Sequence, residues 1–383
     1  MTTINPTSAA AVFPNLAATN LSWPVPVLVR GPDGAEMLVG NGEPVMTVTA
    51  NDEVGVEAID TRDELMIAEA YMAGSIDFEG DLIAGLSARD NLTTRSAPVI
   101  VKNHLLPLVK GRASANKQWI ATHYDMDNIQ LYAVDRDYGV YTPGIYLDES
   151  DTLEQGAERK LAAAFDALQL SEGDRLLDIG CGWGGFLRYT SKRGVDATGI
   201  TLSQHQREHA MKRLANDGLE ATVLYQDFFA YEPVEKFDGI SLMGVMEDLA
   251  AYRKVMPHLA KWLKPGGRVY CDFAASGDRF GITSFVTKHI WPGRFRLVYM
   301  PQFIAAASKS GFDIVNIEND RRNYHLWAKK GMDRWLPQRD EIIAASDDKT
   351  YRLMTLLIAG TAEMFSPTSE RATAYRVTLS RRE

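Results

Sequence analysis

The chain is poor in cysteine: Cys181 and Cys271 are the two in 383 residues, and they lie far apart. That excludes a disulfide framework and a cysteine-based metal cluster, no other metal-ligand set is read, and the scarcity fits a reducing, cytoplasmic compartment. No apolar run approaches the roughly 18 to 20 residues that a membrane span needs. Residues 1–20, MTTINPTSAAAVFPNLAATN, lack both a basic n-region and a continuous apolar stretch, so they read as a flexible lead and not as a signal peptide. A basic surplus is missing too. The formal charge of −9 argues against nucleic acid as a partner, while leaving room for a local patch that touches a membrane peripherally. What remains is a globular composition, 45% hydrophobic and 24% charged, long enough for one large or two ordinary domains.

Texture divides the chain. Residues 21–95 carry short alternating runs, VPVLVR and PVMTVTA, broken by GPDG and GNGEP, then the helical DELMIAEAYMAG and SIDFEGDL. These read as strands, hairpin turns and a helix of a small α+β domain. Residues 96–130 read as a helical connector. From about 150, helical patterns (TLEQGAERKLAAAFDAL, SQHQREHAMKRLANDG, YRKVMPHLAKWL) alternate with apolar strands (RLLDIG, DATGIT, ATVLYQD, FDGISLM, RVYCDFA). Such alternation predicts an α/β fold, a doubly wound, mostly parallel sheet, over a domain of residues 131–383. Ligands of such sheets bind beyond the carboxyl ends of the strands.

The stretch LLDIGCGWGGF stands at such an end. Gly180, Gly182, Gly184 and Gly185 crowd six positions, preceded by Asp178, and no lysine follows as a phosphate loop would require. An acid ahead of bare backbone suits a ligand with a positive end, and S-adenosylmethionine carries an ammonium and a sulfonium. The glycines let the backbone approach its amino-acid portion. Thr201 ends the second strand, where a ribose contact is expected, and Asp227 with Phe228 ends the third, where an adenine is read. Each feature alone is also an ordinary βα turn; their order and spacing together carry the reading.

Residues from about 115 to 335 resemble the cyclopropane fatty acid synthase family, which includes mycolic acid cyclopropane synthases and related plant N-methyltransferases. The segments are HYDMDN (123–128), VYTPGIYLDESDTLEQGAERKL (140–161), LLDIGCGWGG with Trp183, TGITLSQHQ, YQDFF, GVMEDLAAY and NYHLW. The resemblance implies a Rossmann-like class I methyltransferase in which Tyr141, Gly180, Gly182, Gln206 and Asp227 contact the cofactor. It also makes the N-terminal region, with YMAGSIDFEGDL, similar to the small lipid-carrier-like domain of longer bacterial synthases. The implied activity is methyl transfer to an alkene carbon of an acyl chain, followed by proton loss to a bound bicarbonate.

This chain departs from the family at that bicarbonate. Glu247 and Tyr324 match two of its holders, but the cysteine position falls on Pro143, the histidine position on Asp272, and the residue after the glutamate is Asp248. Proline has no donor and an ionised aspartate repels an anion, which argues against bicarbonate and for Asp272 as a built-in carboxylate base. Glu247, Asp272 and Tyr324 are therefore the catalytic candidates. Plainer roles stand beside these: a strand-end cap for Asp272, a solvated or capping acid for Asp248, core packing for Tyr324 and for the aromatics of KHIWPGRFRLVYMP. Three functions follow: methylation of an unsaturated acyl lipid, methylation of a soluble small molecule at carbon or nitrogen, or cofactor binding without catalysis. A homodimer stays open.

Overall fold

The computed structural model describes residues 6–19, 21–93, 129–249, 251–276, 283–290 and 296–383. The helical connector read at 96–130 and the HYDMDN segment lie almost wholly or wholly outside the described residues. Contacts divide the chain into two compact units.

The first unit holds a four-stranded sheet in the order β2-β1-β3-β4, from β1 (Val27–Arg30), β2 (Glu36–Val39), β3 (Met46–Ala50) and β4 (Ile76–Gly80). In β1 and β3 alternate residues are buried, the period-two signature read in the sequence. Asp52 and Asp63 cap helices Glu53–Thr61 and Glu64–Ala73 by accepting from Gly55 N and Met66 N. The flexible lead needs correcting. Residues 6–17 form helices Pro6–Val12 and Pro14–Ala17, with Phe13 and Leu16 buried. The buried Asp60 holds the second of these by accepting from Asn15 N, Asn15 Nδ2 and Leu16 N.

Two pieces that the sequence assigned to the 131–383 domain, Thr283–Ile290 and Trp335–Glu363, cluster with this first unit. The reason is visible at Arg352, which donates to the backbone oxygens of Tyr71 and Ile76 and pairs with Asp77 at 2.8 Å. Glu69 likewise meets Lys288 and His289 at 2.5 and 2.7 Å.

The second unit is built on a seven-stranded sheet, β10-β11-β9-β8-β5-β6-β7. β5 (Arg175–Ile179), β6 (Asp196–Thr201), β7 (Thr222–Tyr225), β8 (Phe237–Met243) and β9 (Leu263–Ala275) run parallel, as predicted. Two strands absent from the sequence reading, β10 (Phe312–Asn319) and β11 (Thr373–Arg381), add antiparallel to β9. Helices Leu153–Leu168, Gly185–Ser191 and Gln204–Asn216 cover one face around Leu161, Leu176 and Ala197. Helices Tyr252–Trp262 and Met300–Lys309 cover the other around Leu177, Ile240 and Phe273. Both faces are sealed, so β5 is buried almost throughout. The chain leaves β5 toward β6 and returns to β8 on its other side, which creates the crevice where open α/β sheets bind ligands.

Candidate active site

A cavity of about 170 Å³ opens at that crevice. Tyr141, Asp178, Gly180, Gly182, Trp183, Thr201, Gln206 and Phe228, all expected from the sequence, line it. Gly184 and Asp227 do not. Gly184 begins helix Gly185–Ser191 at φ +81, and a side chain there would meet Ala210 Cβ at 2.8 Å, so it serves packing. The Asp227 carboxylate accepts from Phe229 N at 2.9 Å and caps a short 3-10 turn. Gly139, Thr142, Gln226 and Asp248 join the lining without having been predicted there.

The wall is preorganised by buried polar contacts. Asp135 accepts from the backbone of Tyr138, Gly139 and Val140, which shapes the loop over the glycines. Thr201 donates to Gln206 Oε1 at 3.0 Å, and Ser203 caps the following helix through Gln206 N, as its sequence position suggested. Asp178, at the end of β5, accepts from Ser241 at 2.6 Å. Burial raises its carboxyl to about 7, eased by that hydrogen bond and by Lys160. A cationic ligand would restore its charge. Trp183 stands edge-on to His205 and His209 at 5.7 and 5.1 Å, and its buried indole N–H has no acceptor among the described residues. At Gly182, φ +52, an added Cβ would find nothing nearer than Gly180 O at 3.9 Å. An open backbone approach, a spare donor and a buried acid fit the expected cofactor.

Beside the cavity, Glu247, Asp272 and Tyr324 form one electrostatic cluster, and none of the three lines the cavity itself. Glu247 is 3% exposed; its Oε1 accepts from Ala274 N at 2.7 Å, while Oε2 is buried without a hydrogen bond among the described residues. Burial, reinforced by Asp248 and Asp272, pushes its carboxyl up to about 8. Asp248, half-buried and facing the cavity, is raised to about 7 by burial as well. Burial lifts the Tyr324 phenol further, keeping it a neutral donor, and its ring packs 4.4 Å from Phe365.

Asp272 needs correcting. It is not a free carboxylate: Lys160 Nζ stands 3.0 Å from Oδ2, and both side chains are 1% exposed. The crowd of uncompensated anions inferred from sequence therefore contains a cation. A signal for it was present, since Leu153, Gly156, Ala157, Leu161, Ala164 and Leu168 make the buried stripe of their helix and Lys160 falls within it. Pro143 is buried and offers no donor, as expected.

Residues 112–373, more than half of the chain, match the model of the mycolic acid cyclopropane synthetase family. The chain belongs to that family. It is a methyltransferase of the cyclopropane synthase and fatty acid methyltransferase kind, and its cofactor is S-adenosylmethionine. Residues 19–88 match a domain of unknown function. A protein of Mycobacterium tuberculosis named "probable fatty acid methyltransferase" is 26% identical, over 79% of this chain and 79% of its own length. A sphingolipid C9-methyltransferase of Komagataella phaffii is 25% identical, over 81% of this chain and 68% of its own. In fold, a cyclopropane synthase from Mycobacterium tuberculosis superposes with a TM-score of 0.64 at 22% identity, covering 69% of this chain and 98% of that one. A coclaurine N-methyltransferase gives 0.60 at 15% identity, covering 82% of this chain and 98% of that one. For this member of the synthetase family, the mostly parallel sheet and the cavity at its switch point are those expected.

Proposed function

We propose that the chain transfers a methyl group to a carbon of an unsaturated fatty acyl chain in a lipid, giving a cyclopropane, methyl-branched or methylene product. The observation that carries this is the buried Glu247 with its unpaired Oε2, set in the turn that follows β8 beside the cavity. Adding a methyl to an alkene leaves a cation that must lose a proton, so an acceptor shielded from water is required. An amine methylated on its lone pair makes no such demand. The relatives named for fatty acids and sphingolipids support a lipid acceptor, and the resemblance of residues 21–95 to a lipid-carrier-like domain points the same way.

In this reading Tyr141, Gly180, Gly182, Thr201, Gln206 and Phe228 hold the cofactor, Asp178 faces its ammonium, and Trp183 supplies a donor. The cofactor supplies an activated methyl when bound. Gly184 and Asp227 act one step back, through the loop and the turn they shape. Among the described residues no helix is long and apolar enough to cross a membrane, so a lipid acceptor would be met at its surface. A second reading, a soluble acceptor methylated at carbon or nitrogen, draws on Pro143, which removes one holder of the family's bicarbonate.

Cells with and without the protein, grown on methyl-labelled methionine, separate the two by mass spectrometry. Label in acyl chains that depends on the protein is expected. Label confined to a soluble metabolite would replace the lipid reading with the second.

A further inference from the structure

The family resemblance gives no role to Lys160, a cation buried between the cavity and the carboxylates. Lys160 lies on helix Leu153–Leu168, and its ammonium donates to Thr142 Oγ1 while pairing with Asp272 at 3.0 Å. It also lies close enough to Asp178 to ease that carboxyl's ionisation. Thr142 and Asp178 line the cofactor cavity, whereas Asp272 stands beside Glu247 on the adjoining side. An ammonium that is 1% exposed cannot swing into solvent, so these two contacts tie the 139–142 loop to β9. Asp272 is engaged by this cation through Oδ2. Glu247 has one oxygen anchored by Ala274 N and the other without a hydrogen bond among the described residues; Asp272 also has such an oxygen, Oδ1, and differs in the cation held against its Oδ2.

We propose that Lys160 is a positioning residue that holds Thr142 in the cofactor wall and binds Asp272 as a structural ion pair, leaving Glu247 Oε2 to receive the reaction's proton. Its second half rests on the methyl transfer proposed above; its first half does not. In the chemical step the alkene electron pair forms the bond to the incoming methyl carbon, and the carbon–sulfur pair stays on sulfur. The neighbouring acyl carbon is then cationic. A C–H electron pair closes the ring or restores a double bond, and the released proton passes to Oε2, which becomes a neutral acid. Among the described residues the charged and titratable groups around Glu247 are Asp248 on its own turn, Asp272 with Lys160, Cys271, Tyr252, Tyr324 and Arg296, whose backbone N–H donates to Glu247 O.

Calorimetry with S-adenosylhomocysteine reads the first half. Thr142→Val, a near-isosteric change that removes the acceptor of Lys160, and Lys160→Met/Asp272→Asn, which neutralises both partners of the pair, are each expected to bind about tenfold more weakly than wild type. Asp272→Asn keeps Lys160 on Thr142 and should bind as wild type does. Turnover on vesicles of unsaturated phospholipid reads the second half. Asp272→Asn and, at saturating cofactor, the double variant should stay within about tenfold of wild type, since neither loses the acceptor. Unchanged affinity in Thr142→Val overturns the wall role. Asp272→Asn that binds normally but turns over about 100-fold or more slowly returns the base to Asp272. Wild-type protein inert on those vesicles contradicts the lipid acceptor instead, and the affinity comparison then decides the role of Lys160 alone.

Discussion

Gly182→Val should weaken binding of S-adenosylmethionine and S-adenosylhomocysteine by about 100-fold or more, a loss near 2.7 kcal/mol, in protein that still unfolds cooperatively. The added side chain has no protein neighbour to strike, because the nearest atom to its Cβ is Gly180 O at 3.9 Å. It projects into the space that the cofactor's amino-acid end would fill. The φ of +52 adds strain for a β-branched residue, about 1–2 kcal/mol, which lowers the unfolding temperature without emptying the fold. Gly184→Ala is the contrasting control. Its Cβ would run into Ala210 at 2.8 Å, so it should cost stability more than affinity. Calorimetry and thermal unfolding on both variants separate the effects, and a folded Gly182→Val that binds normally would remove the glycine loop from the site.

Glu247→Gln should lower turnover by about 100-fold or more while cofactor affinity stays close to wild type, because the amide oxygen still accepts from Ala274 N but cannot take a proton. Wild-type kcat/KM should rise with pH along a limb near 8, since burial holds the Glu247 carboxyl up at about 8 and only its ionised form is an acceptor. Stability runs the opposite way. Between the ordinary carboxylate range and about 8 the folded chain keeps a proton that the unfolded chain has released, so stability is greatest on the acid side and falls as pH rises through that value. Asp178 and Asp248 are raised in the same direction, so Glu247→Gln should flatten the decline without abolishing it. Thermal unfolding at about pH 9 should therefore favour the variant, and at about pH 5 the two should coincide. A variant with undiminished turnover would take the acceptor role away from Glu247.

The sequence was most legible where a local pattern dictates structure. Apolar runs bounded by glycine marked the parallel strands, Ser203 marked a helix start, and the bare turn after Asp178 marked the cavity. Contacts between distant segments were not legible. Asp60 anchors Asn15 and Leu16 across the first unit, and nothing around residue 15 announces a partner so far along the chain. Strand β11 pairs with β9 in antiparallel register, Arg376 opposite Asp272, from a segment whose alternation alone names no neighbour. Asp272 shows the consequence for chemistry. Read by itself it is a spare carboxylate, and its character changes once Lys160, on another helix, is set against it. Charge on a side chain is visible in sequence, whereas its compensation is a property of the fold.

Methyl transfer to a lipid carbon is tested most directly with purified protein, S-adenosylmethionine bearing a trideuterated methyl, and vesicles of unsaturated phospholipid, with the acyl chains read by mass spectrometry. The account predicts acyl chains heavier by the transferred carbon. Loss of one deuterium from the methyl indicates a ring or methylene product, and retention of all three indicates a methyl branch with the proton taken from the chain. Glu247→Gln should suppress either. Acyl chains that stay unlabelled while a soluble amine or carbon acid accepts the methyl under the same conditions would contradict it.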